Sequence, residues 1–459
     1  MEMIDAYRLL QQGAETLTLV EEQGFPIDLE YVREKLAWID AKLVQSELRL
    51  KRSGLGQAWI ARYGEAWKHS SVPQLRSILY ADLHAKPFRY SEGGEESTSE
   101  ESLRQTGVDG IEHLLRIRRY KKAQDVLKSL LRYEIDGRIH PSFLLHTVQT
   151  YRSSSAAPNL QNIPIRDREI MEICRRSFIP SPGNVLLEID FSGIEVAIAT
   201  TYHKDPVMMD YLNDTNSDMH GDMAREIFHL PRLNQKLKDM EGGYVLRQAS
   251  KNGFVFPEFY GDYYIPCAFN IACSWCKLPQ NGMWKQTDGV VFNGKTIASH
   301  LAEHDIDSLD SFTSHMEKVE QDFWTKRFKV YNAWRKNWYT RYQRKGQFEM
   351  KTGFIVSGVL GKNQVINYPV QGAAFHCLLK SMIELVKQMK GWRSKVIGEI
   401  HDSMLVDAHP DEVNDIVALS QQICTVDLVK EWPWIVVPMR IEVASSQVNG
   451  YWSEMHGVA

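Results

Sequence analysis

Two short apolar runs, far apart in the chain, each stop at an acidic side chain. The first, VLLEIDFSGIEVAIAT from Val185 to Thr200, reads as a strand ending at Asp190, followed by a turn into further structure. The second, VIGEIHDSMLVD from Val396 to Asp407, reads as a β-hairpin with His401, Asp402 and Ser403 at its tip. Strand ends hold side chains rigidly, which suits a site. Either acid alone reads equally well as a turn residue.

Helical periods dominate elsewhere. Leu29 to Leu50 repeats apolar residues at helical spacing, with Asp28 placed to cap it. A second helix turns Leu114, Leu115, Ile117, Val126, Leu127, Leu130 and Leu131 inward. Its polar side carries Arg116, Arg118, Arg119, Lys121, Lys122, Lys128 and Arg132, either a solvated face or a surface that tracks a phosphate backbone. Ser91 to Ser102 (SEGGEESTSEES) is acidic and small, and composition alone predicts a flexible loop. Phe323 to Phe348 holds eight Lys or Arg residues and no acid. Trp324, Phe328, Tyr331, Trp334, Trp338 and Tyr342 recur there at helical spacing, which predicts a buried face rather than a stacking platform. The exposed cations then favour a polyanionic partner.

The chain has 459 residues, enough for several domains. Its net charge of −4 says little about such a partner, because phosphate binding depends on local basic surface. No run is long and apolar enough to span a bilayer and no signal peptide opens the chain, so a cytoplasmic location is expected. Six cysteines do not make a disulfide framework at this length, and reduced thiols are expected.

Thr150 to Pro164 reads TYRSSSAAPNLQNIP, which resembles the T-G-R-x-S-S-x-x-P-N-L-Q-N-I-P signature of family A DNA polymerases, the DNA polymerase I-like enzymes. Other pieces follow in that family's order. IDFSGIE (189–195) is similar to motif A, RQASKNGFVFPEFYG (247–261) to motif B, and EIHDSMLV (399–406) to motif C. NQVINYPVQGAA (363–374) resembles the segment between motifs B and C, and EEQGFPIDLEYVREKL (21–36) the start of the polymerase region. RYSEGGEESTSEESLRQ (89–105) then resembles a turn inside the thumb. The stretch before Glu21 is too short for a nuclease domain, so thumb, fingers and palm are expected without a 3′–5′ exonuclease. The compact size looks phage-like, which would mean the host cytoplasm.

The resemblance implies an α/β (α+β) right-hand polymerase fold, with an antiparallel-sheet palm and helical thumb and fingers. The expected division is 1–149 N-terminal segment and thumb, 150–212 first part of the palm, 213–370 fingers, and 371–459 second part of the palm. By resemblance Asp190 and Asp402, with the Phe191 carbonyl, hold two Mg2+ ions, for which Mn2+ can substitute. Arg247, Lys251 and His220 contact the triphosphate of a dNTP, with Lys251 as acid toward the pyrophosphate. Tyr260 and one of Phe254 or Phe256, with Phe256 preferred, stack on the nascent base pair, and Glu195 excludes a ribose 2′-hydroxyl. Arg152, Asn159, Gln161, Asn162, Asn367, Gln371 and His401 face the primer–template DNA. A separate exonuclease or processivity factor is a further expected partner, and no membrane is.

Four departures stand out. Ser403 replaces the usual Glu of motif C, and Asn363 an expected Arg. Lys251 and Tyr260 are one residue further apart than in the family pattern, with Gly253 and Pro257 between them disfavouring a regular helix. Residues 262–315 exceed the family pattern and read as a plain insertion, with zinc binding by Cys267, Cys273, Cys276 and His300 or His304 as the minor alternative. Two rivals remain at this stage. A single-subunit RNA polymerase-like enzyme is opposed by Glu195 and the 150–164 signature. A non-catalytic DNA-binding accessory subunit is opposed by the joint retention of Asp190, Lys251 and Asp402.

Overall fold

The computed structural model describes residues 2–458 apart from 92, 166, 232–234 and 276–281. It divides into two compact units. One comprises Met1–Gly56, Glu112–Tyr202 and Arg341–Ala459, the other Gln57–Ile111 and His203–Thr340. Among the described residues no helix is long and apolar enough to cross a membrane.

The first unit is built on an antiparallel sheet of β1 (Val185–Phe191), β2 (Lys395–Ile400), β3 (Ser403–Ala408), β4 (Ile441–Ser445) and β5 (His456–Gly457). The strand order is β2-β3-β1-β4-β5, so β1 is central. Alternation along β1 buries Leu187, Ile189 and Phe191 on one face and leaves Glu188 and Asp190 half-buried on the other. In register, Ser403 of β3 and Glu442 of β4 both lie opposite Asp190. The hairpin predicted at 396–407 is present, and His401–Asp402 is its two-residue connection, with His401 at φ 60°.

Helices cover this sheet. The Met3–Gln23 helix meets the long Lys362–Gln388 helix where Gly13 has no side chain, since a Cβ there would lie 2.8 Å from Leu379. The helix predicted from Leu29 runs to Arg52, and the Asp28 carboxylate accepts the Tyr31 N–H at 3.0 Å. The Ile111–Tyr133 helix buries Leu114, Leu115, Ile117, Leu127 and Leu130, while Val126 and Leu131 are half-buried. One cation on its polar side is committed elsewhere: Arg119 pairs with Asp167 and, at 3.1 Å, with Glu169.

The second unit is largely helical. The basic segment bends inward as its period predicts: Trp324, Phe328 and Tyr331 are buried, and Trp334 stacks on Trp338 at 5.6 Å. Lys326, Lys329 and Lys336 remain exposed, whereas Arg335 lies 4.0 Å over the Trp324 ring and Arg327 pairs with Glu226. The flexible-loop reading of Ser91–Ser102 from composition is corrected. Ser97 N–H bonds the Arg89 carbonyl at 2.8 Å, and Ser99 caps a Glu100–Gln105 helix whose Ser102 and Leu103 are fully buried. Hydroxyls that cap a helix explain why so polar a stretch packs.

The hairpin carrying Asp402 depends on one close approach. At Gly398 of β2, beside a register shift, an added Cβ would fall 2.0 Å from the Phe25 ring. Gly398→Ala is therefore expected to cost about 1–3 kcal/mol by overpacking, and Phe25→Leu to recover part of it. Urea denaturation of the two single variants and the double variant checks this, and strictly additive losses would contradict the contact.

Candidate active site

The acidic face of the sheet is fixed by backbone. At the end of β1 the Phe191 N–H donates to the Asp402 carbonyl at 3.1 Å, and the Ser192 N–H to the Arg440 carbonyl at 2.9 Å. Asp190 is thereby tied to the hairpin tip on one side and to β4 on the other. Burial, then Asp402, Glu188 and Glu442, push the Asp190 carboxyl up to about 7, against the pull of Arg175. Burial raises Asp402 as well. Two half-buried carboxylates held in mutual repulsion are the donor set that suits a hard divalent cation, with the Phe191 carbonyl as a further oxygen. Among the described residues no group of three or more His, Cys, Asp or Glu side chains is placed to hold a metal, so such a site would draw on this pair and on backbone oxygen.

Around it lie the residues of the 150–164 signature. Arg152 donates to Glu195 Oε1 at 2.6 Å and to the Gln371 carbonyl at 3.2 Å. That approach requires Gly372, because a Cβ there would meet the Thr150 carbonyl at 2.3 Å. Asn367 and Gln371 are one helical turn apart on the Lys362–Gln388 helix, both half-buried. Gln161 is half-buried, whereas Asn159, Asn162 and His401 are exposed. All of these belong to the first unit, with Asp190, Phe191 and Asp402.

Sequence reasoning missed Glu399. It is fully buried, accepts from Ser153 and, at 2.9 Å, from Gln161 Nε2, and leaves its Oε2 without a partner among the described residues. The signal was an acid inside the apolar run of β2, at a position that strand alternation alone cannot assign to a site.

The second unit carries a cationic cluster. Arg247 ends the Gly243–Ser250 helix and grips both oxygens of Asp218 through Nε at 2.9 Å. Against the upward push of burial, Arg247 and the Gly221 N–H hold Asp218 low. The next turn, Lys251–Val255, is a π-helix closed by the Phe256 N–H on the Lys251 carbonyl, and Phe256–Tyr260 resumes the α-helix. The wide turn absorbs the extra residue between Lys251 and Tyr260. Gly253 permits it, since a Cβ would come 2.6 Å from Ile271. Phe256 lies beneath Lys251, 5.3 Å from Nζ to ring centre, and 5.6 Å from the His220 ring. Phe254 is fully buried against Phe323. Burial, then Arg247 and Lys251, push His220 down to about 4, so it is neutral near pH 7, and its Nδ1 is buried without a partner among the described residues. Tyr260 is 40% exposed.

The inserted stretch gives zinc no support among the described residues. Cys267 is buried with its Sγ 3.7 Å from Glu258 Oε1, and His300 Nε2 is engaged by the His229 carbonyl at 3.2 Å. His304 stacks on His229 at 4.4 Å, Cys273 is half-buried, and Cys276 lies outside the described residues.

Glu399 has a pH consequence. Burial lifts it to about 7, opposed by the hydrogen bonds from Ser153 and Gln161 and by Arg152. Its folded pKa therefore lies above the unfolded one, so the folded state binds the extra proton between roughly pH 4.5 and 7 and loses stability as pH rises through that window. Glu399→Gln should remove this loss. Relative to the parent it should gain on the order of 2 kcal/mol in urea-denaturation stability from pH 5 to pH 8. An unchanged difference at the two pH values would contradict a buried, proton-binding Glu399.

The family model for DNA polymerase family A matches residues 41–255. DNA polymerase I of Aquifex aeolicus is 27% identical over 95% of this chain and 65% of its own length. DNA polymerase I of Pseudomonas aeruginosa is 26% identical over 96% of this chain and 45% of its own length, so the chain spans less than two thirds of either relative. A solved structure described as the POL domain of Pol1 from M. smegmatis, in complex with DNA primer-template and dNTP, shares the fold. It superposes with a TM-score of 0.72 at 21% identity, covering 96% of this chain and 70% of the other. The mixed α and β architecture is thus that of a solved polymerase domain, and residues 41–255 of the chain are similar to DNA polymerase family A.

Proposed function

We propose that the chain is a template-directed DNA polymerase that adds dNTPs to a primer 3′-hydroxyl, with Mg2+ as its cofactor and Mn2+ as a substitute. The observation that carries this reading is the Asp190–Asp402 pair, locked by the Phe191–Asp402 backbone bond and raised by burial and like charge. Primer–template DNA and dNTPs are its partners, and a cytoplasmic location accords with that role. Relatives named DNA polymerase I, and a neighbour solved with primer-template and dNTP, support the same assignment.

Asp190, Asp402 and the Phe191 carbonyl hold the cations. When bound, two divalent ions lower the cost of charge on the attacking oxygen and on the departing pyrophosphate. Lys251 and Arg247 meet the triphosphate, and Lys251 donates a proton to the leaving group. Neutral His220 adds a hydrogen bond rather than a charge. Phe256, already under Lys251, and Tyr260 stack on the nascent pair. Asn159, Asn162, Asn367 and His401 face the duplex, where minor-groove acceptors recur at every base pair and report pair geometry without sequence. Arg152, oriented by Glu195, and Gln161, oriented by Glu399, join them with Gln371.

Asp190→Asn and Asp402→Asn should each lower primer extension by more than about a hundredfold, because the carboxylates act on the transition state. Duplex binding should stay near the parent value by fluorescence anisotropy. Extension by either variant at close to the parent rate would refute the assignment.

Glu195 tests the choice of sugar, and its ion pair with Arg152 sharpens the test. Glu195→Ala removes both bulk and charge, whereas Glu195→Gln keeps the bulk. If bulk excludes the 2′-hydroxyl, single-turnover use of CTP relative to dCTP should rise on the order of tenfold in the Ala variant and stay near the parent in the Gln variant. Equal losses for both nucleotides in both variants would assign Glu195 to the ion pair alone.

A further inference from the structure

Ser403 leaves the acidic face one carboxylate short of the motif it resembles, and the structure shows what its hydroxyl does instead. Ser403 is 2% exposed, lies opposite Asp190 in register, and places its Oγ 3.1 Å from Glu188 Oε1 and 3.0 Å from the Ile400 carbonyl. Glu188 sits two residues before Asp190 on β1, so both side chains emerge on the same face. Its other oxygen accepts the Trp452 indole N–H at 3.1 Å and lies 3.9 Å from Arg175, whose guanidinium is stacked 4.1 Å over the same indole. Both oxygens are therefore held, on the central strand, beside the position where Ser403 stands.

We propose that Glu188 supplies, from β1, the negative charge that position 403 lacks, and that the Ser403 hydroxyl holds it beside Asp190, where it supports the cation-binding pair without itself being a ligand. The proposal rests on the reading of Asp190 and Asp402 as the cation-binding pair. Glu442 is the alternative donor, since it also lies opposite Asp190. It is exposed, however, and on the β4 side, where it accepts from Ser192 Oγ at 3.1 Å, away from the β3 flank that carries Asp402. Glu188 is also among the charges that raise Asp190, after burial and Asp402. Arg175 tempers this negative charge without cancelling it, because its contact is long and the guanidinium is shared with the indole face.

Mn2+ titration of the full chain, read by loss of the free-ion electron paramagnetic resonance signal without DNA or nucleotide, separates the possibilities. E188Q should weaken Mn2+ binding about tenfold, the effect expected of a carboxylate that supports the ligands. E442Q should leave binding near the parent value, and the exchanged pair E188S/S403E should restore most of what E188Q loses. D190N controls the underlying reading and should abolish binding. Parent-like affinity in E188Q alongside loss in D190N overturns the role of Glu188 while sparing the Asp190–Asp402 pair. Loss in E442Q but not in E188Q overturns it in favour of β4, and parent-like binding in D190N overturns both readings. Because E188Q also loosens Trp452, melting temperatures accompany each titration. If E188Q does not fold, S403A decides: it leaves the Trp452 and Arg175 contacts in place and should still weaken Mn2+, and unchanged affinity there refutes the proposal.

Discussion

Repulsion between two carboxylates, held in place by strand ladders, is the interaction on which the first unit depends. Asp190 ends the central strand and Asp402 sits at a hairpin tip, and a backbone hydrogen bond of 3.1 Å joins their elements. Burial and like charge make ionising both costly, which is why Asp190 rises to about 7. Such a pair persists only where the scaffold cannot relax. Flanking strands on both sides of β1, Gly398 pressed against Phe25, and Gly372 against the Thr150 carbonyl supply that rigidity. The unfavourable electrostatics is the property a cation would relieve, so the cost to the fold and the proposed chemistry have one origin.

The second unit solves a different problem, gathering cations and an aromatic ring on one short helical stretch. A regular helix from Gly243 to Tyr260 would place Lys251 and Phe256 out of step, because one residue too many separates Lys251 from Tyr260. The π-turn takes up that residue, and Gly253 lets it pack against Ile271. Arg247 is anchored by Asp218, and His220 stays uncharged between Arg247 and Lys251. A neutral ring there adds a hydrogen-bonding group without adding to the repulsion among the cations.

Much of this was legible in the sequence, for identifiable reasons. The strand ending at Asp190, the hairpin at Asp402 and the helix capped by Asp28 are local, and period, turn and cap chemistry mark them directly. Of the aromatic stripe at 324–342, Trp324, Phe328, Tyr331 and Tyr342 are buried as the spacing predicts, while Trp334 and Trp338 are half-buried. What was not legible depends on partners distant in sequence. Arg119 reads as a free surface cation until Asp167 and Glu169 come beside it. Ser91–Ser102 reads as disorder until its hydroxyls cap turns and a helix. Glu399 and Glu188 are acids within apolar strands, and only the folded side chains show that one accepts from Ser153 and Gln161 while the other meets Ser403. The π-turn, which sets Phe254 against Phe323 and Phe256 under Lys251, is anticipated by no propensity scale.

Single-turnover extension of a primed template by the purified chain in Mg2+, with each of the four template bases offered in turn, bears most directly on the proposed activity. Incorporation of only the complementary dNTP at each base, lost on chelation of the cation, is the expected result. No extension, or addition indifferent to the template base, would contradict it.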